Sequence, residues 1–537
     1  MTISAPPNTL QTLSDVLEMK AATVGNNIYA KEEDSRSVTF SQLDTISTNI
    51  AKNLHEQGVS PGEHVCLYLY NHLEYLYMYF GLAKLGAVAV PIDTRFTEET
   101  LLHILQEVDG ETIVFDDNTR DQYEKVRGKQ SAISAEYCIG SEDGSHQYKP
   151  FSQLKHDTSD ISLSTSVRGV DPFSVVYVQQ RQGSTPTGIT LPHYAYVNTG
   201  WVVSENILKL SSDDSILTPL PLYSVVAAQT GMIGSLMAGG EFIILDRFEP
   251  KRFWKQVSKH SPSVFLYLSR MLSVLYNHQV SDQYETNPLE TAVGHGYGFG
   301  NDEQLIREFE EKFDITVLEG YGTTQVATIA THNTVDDRRV GSVGKPAPHV
   351  EVQIFDDDDW PLPPGEMGEI VVRPTRSNTM MKGYHNDPEL TVKDCQNQWI
   401  HTGDTGYLDE EGYLFFISKR KNSIYRGQIA GRISTLEIES VINTYPAVRE
   451  SVVTGITSVD KTEEIMATAV LHEDQEATPS DIYHHCKKQL PYVKVPRFID
   501  IRDTLPRTPA GKIRKSEIQQ TDPKDVWDRE SGYEFTQ

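Results

Sequence analysis

Residues able to handle phosphate or carboxylate groups stand in five short stretches of this 537-residue chain. PRTPAGKIRK, close to the C-terminus, sets Lys512 behind a glycine in a basic segment. HTGD carries Asp404, and LEGYGTTQ brings Tyr321, Gly322, Thr323 and Gln325 together at what reads as the end of a strand. GHGYGFGN places His295, Tyr297, Gly298, Phe299 and Gly300 ahead of a helical pattern, and glycine there permits close backbone approach. The fifth stretch gathers Gly183, Ser184, Thr185 and Thr187 after a strand-like run. Taken singly, the first four each have a plain alternative. A lysine after glycine is a solvated charge, TGD an ordinary Asx-type loop, a Tyr-Gly pair a strand-ending turn, and an aromatic beside glycines simple packing.

These stretches need a scaffold, and the hydrophobic pattern supplies one. From Glu63 to Ile92 the chain reads strand, amphipathic helix and buried strand, with Gly86 closing the helix: a βαβ unit. Apolar runs recur at FSVVYV, SILTPLPL, EFIILD, SVFLYL and ITVLEGYG, each followed by a helix-like segment. This predicts a large α/β region with mainly parallel sheets. Between residues 350 and 375 the pattern becomes short alternating strands, VEVQIFD and EIVVRP, and TGYLDEEGYLFFI reads as a further hairpin. A charged SKRKNS connector near Asn422 then precedes a helix (LEIESVINTY), two strands, a helix (PSDIYHHCKKQL) and the basic tail. The expected class is α/β, with a large multi-lobed N-terminal domain (1–420) that includes a β-rich lobe, and a small mobile α+β domain (421–537).

Bulk properties narrow the function classes. A net charge of -27 opposes binding to nucleic acid or anionic lipid, and any nucleotide site must concentrate cations or N–H donors locally. The four cysteines, Cys66, Cys138, Cys395 and Cys486, show neither disulfide nor zinc-ligand spacing, which fits a reducing cytoplasm. The opening residues lack a basic region followed by an apolar run, and no stretch is long enough to span a bilayer, so neither a secretory leader nor a transmembrane segment is expected.

Read together, LEGYGTTQ, WIHTGDTGYLDEEGYLFF, LEIE, LPYVKVP and LPRTPAGKIRK resemble, in order and spacing, the adenylate-forming superfamily of acyl-CoA synthetases, peptide-synthetase adenylation domains and firefly-type luciferases. The likeness runs from SVTFSQLD to about residue 520, and the wording is closest to crotonobetaine/carnitine-CoA ligase-like and fatty-acyl ligases. It implies an AMP-forming acyl-CoA ligase: a carboxylic acid and ATP give an acyl-adenylate, and coenzyme A then takes the acyl group. It further implies that Lys512 stabilises the charge developing on carboxylate and α-phosphate. Asp404 and Lys419 would meet the ribose, Tyr321 and the Gly298-Phe299-Gly300 turn the adenine, and Gly322, Thr323, Gly183, Ser184, Thr185 and Thr187 the phosphates. Tyr223, Ser224 and Tyr297 would face the acid, and Gln325 the Mg²⁺.

The chain departs from the family pattern at telling places. Where relatives carry YTSGTTGxPKG, this sequence has Tyr177-Val-Gln-Gln-Arg-Gln-Gly-Ser-Thr-Pro-Thr187-Gly188, with Thr187 in the lysine's place and Arg181 as a nearby cation. Gln325 replaces a glutamate, Ser224 a histidine and Lys419 an arginine, and residues 426–437 are longer than the usual RGGENISxxE. Two other readings therefore stand beside the ligase: a catalytically impaired homologue that binds nucleotide or acyl-CoA, and an adenylating enzyme with a different acceptor. Which acid is used, and the oligomeric state, are not legible.

Overall fold

The structure is a computed structural model, and it describes residues 5–129, 132–140, 147–157, 163, 166–178, 186–268, 271–278, 287–295, 303–356, 358–419, 423–425, 432–457, 463–490, 492–507 and 513–529. The chain packs as two compact units, one of Met1–Val352 and Val372–Ile400, the other of Gln353–Val371 and His401–Gln537.

The first unit holds two large sheets among its described residues. One runs, in spatial order, Lys345–Pro346, Thr331–His332, Thr316–Tyr321, Thr291–His295, Val264–Leu268, Ser215–Thr218, Glu241–Ile244, Ile28–Glu32 and Ser37–Thr39. Its six central strands are parallel throughout, and the outer ones turn antiparallel. The other sheet is built on the expected βαβ unit: His64–Tyr68 and Val88–Pro91 pair in parallel, joined by the helix Leu73–Leu85. That helix stops at Gly86, whose φ of 79° suits glycine. The helix Phe40–Glu56 begins in a capping box between Thr39 and Gln42, and turns Leu43, Ile50 and Leu54 into the core. The apolar runs read from the sequence thus become sheet strands covered by helices, because a strand buried on both faces needs no polar alternation.

In the second unit, the helices Thr435–Asn443 and Pro479–Gln489 accompany a four-stranded sheet of Val448–Thr457, Glu463–Leu471, Phe498–Ile501 and Trp527–Asp528. One core cluster packs Ile438, Ile442, Val453, Ile465, Ile482 and Ile499. Lys515 is tied to this unit by its ammonium, which reaches Glu439 Oε1 at 2.9 Å and Thr435 Oγ1 and the Val453 carbonyl at 3.3 Å.

Candidate nucleotide site

LEGYGTTQ is the end of the parallel strand Thr316–Tyr321 and the turn behind it. Tyr321 is buried, at 1% exposure. Gly322 is required by the turn itself: a Cβ there would stand 1.7 Å from the Thr328 carbonyl oxygen. The loop curls through a short 3₁₀ turn, Thr324–Val326, with the Thr323 carbonyl accepting from the N–H groups of Val326 and Thr328 at 3.2 and 3.0 Å. Ala327 and Thr328 follow in the left-handed region, at φ 51° and 79°. For a β-branched residue this conformation costs about 1–3 kcal/mol and persists only where neighbours enforce it. The Thr323 hydroxyl is buried without a hydrogen-bond partner among the described residues. An unpaired buried hydroxyl beside a strained turn suits a loop shaped to receive an anionic or polar ligand.

Gln325 is held by a different logic. Its Nε2 donates to the Tyr384 hydroxyl at 3.1 Å, and that hydroxyl donates to Asp394 Oδ2 at 2.8 Å. The tyrosine has one proton, and Asp394 takes it, so position 325 must supply a donor: an amide serves, an ionised carboxylate does not. Gln325 therefore offers a metal one neutral oxygen at most. Among the described residues no group of three or more His, Cys, Asp or Glu side chains is placed to hold a metal ion. A hard cation beside this loop would take most of its charge from phosphate oxygens.

Asp404 lies in the second unit, on the strand Trp399–Leu408, and is 2% exposed. Its N–H is set by the Thr402 hydroxyl at 3.2 Å, while that hydroxyl donates to the Ile370 carbonyl at 2.6 Å. Glu369, which the sequence reading passed over, organises the turn: Oε1 accepts from the Gly403 N–H at 2.9 Å, and Oε2 stands 3.2 Å from His401 Nδ1. Gly403 has φ 67°. Across the hairpin the backbone register pairs Asp404 with Lys419, bringing the two expected ribose residues opposite each other, and a bulge follows at Thr405/Gly406.

Tyr223 and Ser224 stand where a strand gives way to helix. Asn71 fixes this corner, accepting from the Leu222 N–H at 2.8 Å and donating to the carbonyls of Leu220 and Leu245 at 2.9 Å each. Burial, aided by nearby Asp93, holds the Tyr223 hydroxyl well above its ordinary pKa, and Arg95 lies 6.0 Å from the ring centre. Thr187 opens the strand Thr187–Pro192 and pairs with Val178 in an antiparallel ladder, so these two residues bracket the expected phosphate loop. Gly183, Ser184, Thr185, Tyr297, Gly298, Phe299, Gly300 and Lys512 lie outside the described residues. The structure thus brings Tyr321, Gly322, Thr323 and Gln325 together in the first unit, and Asp404 and Lys419 together in the second.

Burial also shapes the titrations behind the loop. Glu319, two residues before Tyr321 and 7% exposed, has its carboxyl pushed up to about 7 by burial. His295 is held down at about 3 by burial and by His332, and His332 at about 4 by burial. Neutral imidazoles and a carboxyl that resists ionisation are what a dry strand end favours.

This fold and turn define an adenylate-forming architecture. The chain belongs to the AMP-binding enzyme family, whose sequence pattern matches residues 17–385, with the AMP-binding enzyme C-terminal domain over residues 437–512. It is 30% identical over 492 residues to the crotonobetaine/carnitine-CoA ligase of Salmonella heidelberg, covering 90% of this chain and 93% of that protein. The corresponding ligase of Citrobacter koseri is 28% identical, with 97% and 100% covered. The fold matches the anthranilate CoA ligase AuaEII, solved in complex with anthranoyl-AMP, at a TM-score of 0.81 and 23% identity over 96% of this chain and 97% of that one. It also matches the fatty acyl CoA synthetase of Mycobacterium tuberculosis, at 0.74 and 24% over 97% and 100%. Among the described residues no helix is long and apolar enough to cross a membrane.

Proposed function

We propose that this protein is an AMP-forming acyl-CoA ligase acting on a small-molecule carboxylic acid, with ATP and coenzyme A as cosubstrates. The observation that carries this reading is the family match through both parts of the chain, over residues 17–385 and 437–512. In the first half-reaction a carboxylate oxygen attacks the α-phosphorus and pyrophosphate leaves. In the second, the thiolate of coenzyme A attacks the acyl carbon and AMP leaves. Two anions must meet in the first step, so Lys512 is assigned to the charge that builds between them.

The remaining roles follow from the same reading. Asp404 accepts from the ribose hydroxyls with Lys419 beside it, Tyr321 and Gly298-Phe299-Gly300 flank adenine, and the Thr323 hydroxyl and residues Gly183, Ser184, Thr185 and Thr187 meet phosphate. Tyr223, Ser224 and Tyr297 face the acid. Residues 1–420 hold the nucleotide, and 421–537 supply the lysine. Gln325 is the residue whose side-chain oxygen would touch a metal carried in by ATP. The reaction needs ATP, free coenzyme A and reduced thiols together, conditions that the cytoplasm supplies.

The test is acid-dependent release of pyrophosphate across a panel of carboxylic acids, with and without coenzyme A. Turnover with at least one acid, and a loss of about 10²-fold or more in the first half-reaction for Lys512→Ala, is expected. An unchanged half-reaction in that variant overturns the assignment. ATP binding without turnover of any acid favours a nucleotide-binding homologue instead.

A further inference from the structure

The two left-handed residues behind the GYGTT turn are each gripped from the protein interior. The Thr328 hydroxyl donates to Gln229 Oε1 at 2.7 Å, and the Thr199 hydroxyl donates to the Ala327 carbonyl at 3.1 Å. Gln229 and Thr199 are both fully buried, at 0% exposure, and Thr328 is 2% exposed. The Gln229 oxygen is taken up by this one hydroxyl, while its Nε2 is buried without a hydrogen-bond partner among the described residues, so the bond to Thr328 is what the buried amide gains here. The element that carries it is itself unusual: Val226–Ile233 is wound as a π-helix, a rare form that concentrates at functional sites. Thr199 comes from the neighbouring helix His193–Trp201.

What the grip holds is connected to the ligand-facing residues. The Thr328 carbonyl is the group against which Gly322 is packed, and the Thr328 N–H donates to the Thr323 carbonyl at 3.0 Å. Releasing Thr328 would let the strained turn relax toward ordinary backbone angles and carry Gly322 and the Thr323 hydroxyl with it. We propose that Gln229 and Thr199 are positioning residues that clamp the Ala327–Thr328 turn and thereby set where Gly322 and Thr323 stand against the nucleotide phosphates. This rests on the ligase reading for the identity of the ligand, while the clamp is geometric.

The experiment compares Gln229→Leu, Thr328→Val, Thr328→Ser, Thr199→Val and the double variant Gln229→Leu/Thr328→Val. ATP affinity is read by calorimetry, and KM for ATP and for the acid by pyrophosphate release. Gln229→Leu and Thr328→Val are each expected to weaken ATP about tenfold, the effect of one buried hydrogen bond, with KM for the acid within twofold. Thr328→Ser restores the affinity, Thr199→Val gives a smaller loss in the same direction, and the double variant is no weaker than either single one. The clamp is overturned if the variants lose thermal stability while ATP affinity stays within twofold, if both KM values move together, or if the double variant is additive. A wild type that turns over no acid refutes the ligase reading alone, because calorimetry with ATP still decides the clamp. A wild type that binds no ATP overturns the clamp as well.

Discussion

Glu319→Gln is the sharpest probe of the strand that feeds the GYGTT turn. Glu319 is 7% exposed, its carbonyl accepts from the N–H and Nδ2 of Asn333 at 2.9 and 3.1 Å, and burial lifts its carboxyl from 4.5 to about 7. The unfolded chain ionises this group near its ordinary value, whereas the folded chain keeps the proton until pH 7. Between those limits the native state binds more protons than the unfolded state, so stability falls as pH rises, and above pH 7 the deficit is complete. The shift corresponds to about 3 kcal/mol. Glutamine has nearly the same shape and never ionises.

The variant and wild type should therefore be equally stable near pH 4.5 and diverge through pH 5–7. At pH 8 the variant should be more stable by about 3 kcal/mol. Urea unfolding of the two proteins, followed at half-unit pH intervals, gives the difference directly. Subtraction matters, because His295 and His332 titrate in the same range with the opposite sign and cancel between the two proteins. A constant offset at every pH, or curves that coincide up to pH 8, would refute the argument that burial alone controls this carboxyl.

Other perturbations test the neighbouring claims. His349, fully buried with neither ring nitrogen hydrogen-bonded among the described residues, is held down at about 3 by burial and by Arg376. Its unfolded form takes a proton below about 6.5, so stability should be full at pH 7 and fall as pH drops from 6.5 toward 3. His349→Leu should move the acid-unfolding midpoint, followed by near-UV circular dichroism, to lower pH. Gly322→Ala drives a methyl group to 1.7 Å from the Thr328 carbonyl oxygen. It should cost ~3 kcal/mol or prevent folding, and calorimetric melting decides it. Gln325→Glu places a carboxylate against a tyrosine hydroxyl already donating to Asp394. It should lower the melting temperature at pH 8, by the equivalent of about 1–2 kcal/mol, with the loss shrinking as pH falls through 5. Equal melting at both pH values would show that the hydroxyl can turn to the new acceptor.

The scaffold was legible in the sequence because its signals are local. The strand, helix and strand of residues 64–91 end at a glycine with a positive φ, and the Leu43, Ile50 and Leu54 stripe follows a capping box. TGYLDEEGYLFFI likewise formed the hairpin that its alternation and Asp-Glu-Glu-Gly turn predict. The site residues were legible only as motifs, since a tyrosine before a glycine and a carboxylate after one carry no periodicity. What could not be read was their support. Gln229 and Thr199 stand 99 and 128 positions from the residues they hold, and Asn71 about 150 from the corner that it fixes. No spacing rule links such pairs before the sheets assemble. Glu369 was missed for a related reason: in EIVVRP it looks like an ordinary outward-facing strand residue, and only the fold brings the Gly403 N–H to it.

The substitution at position 325 gains its sense from the same long-range support. Judged against the family pattern alone, glutamine in place of glutamate is a lost charge. Within this chain it completes a directed chain of hydrogen bonds, from amide to phenol to Asp394, whose proton count disfavours an ionised carboxylate at its start. The Met381 N–H also donates to the Gln325 carbonyl at 2.9 Å, so the residue is tied by backbone and side chain to the same segment that carries Tyr384. Glutamine here thus leaves a turn fixed by both its backbone and its side chain. A loop that keeps its shape through Gln229, Thr199 and Tyr384 can meet an anion with oriented N–H and hydroxyl groups, whose strength in a dry site depends on their being held in place before the ligand arrives.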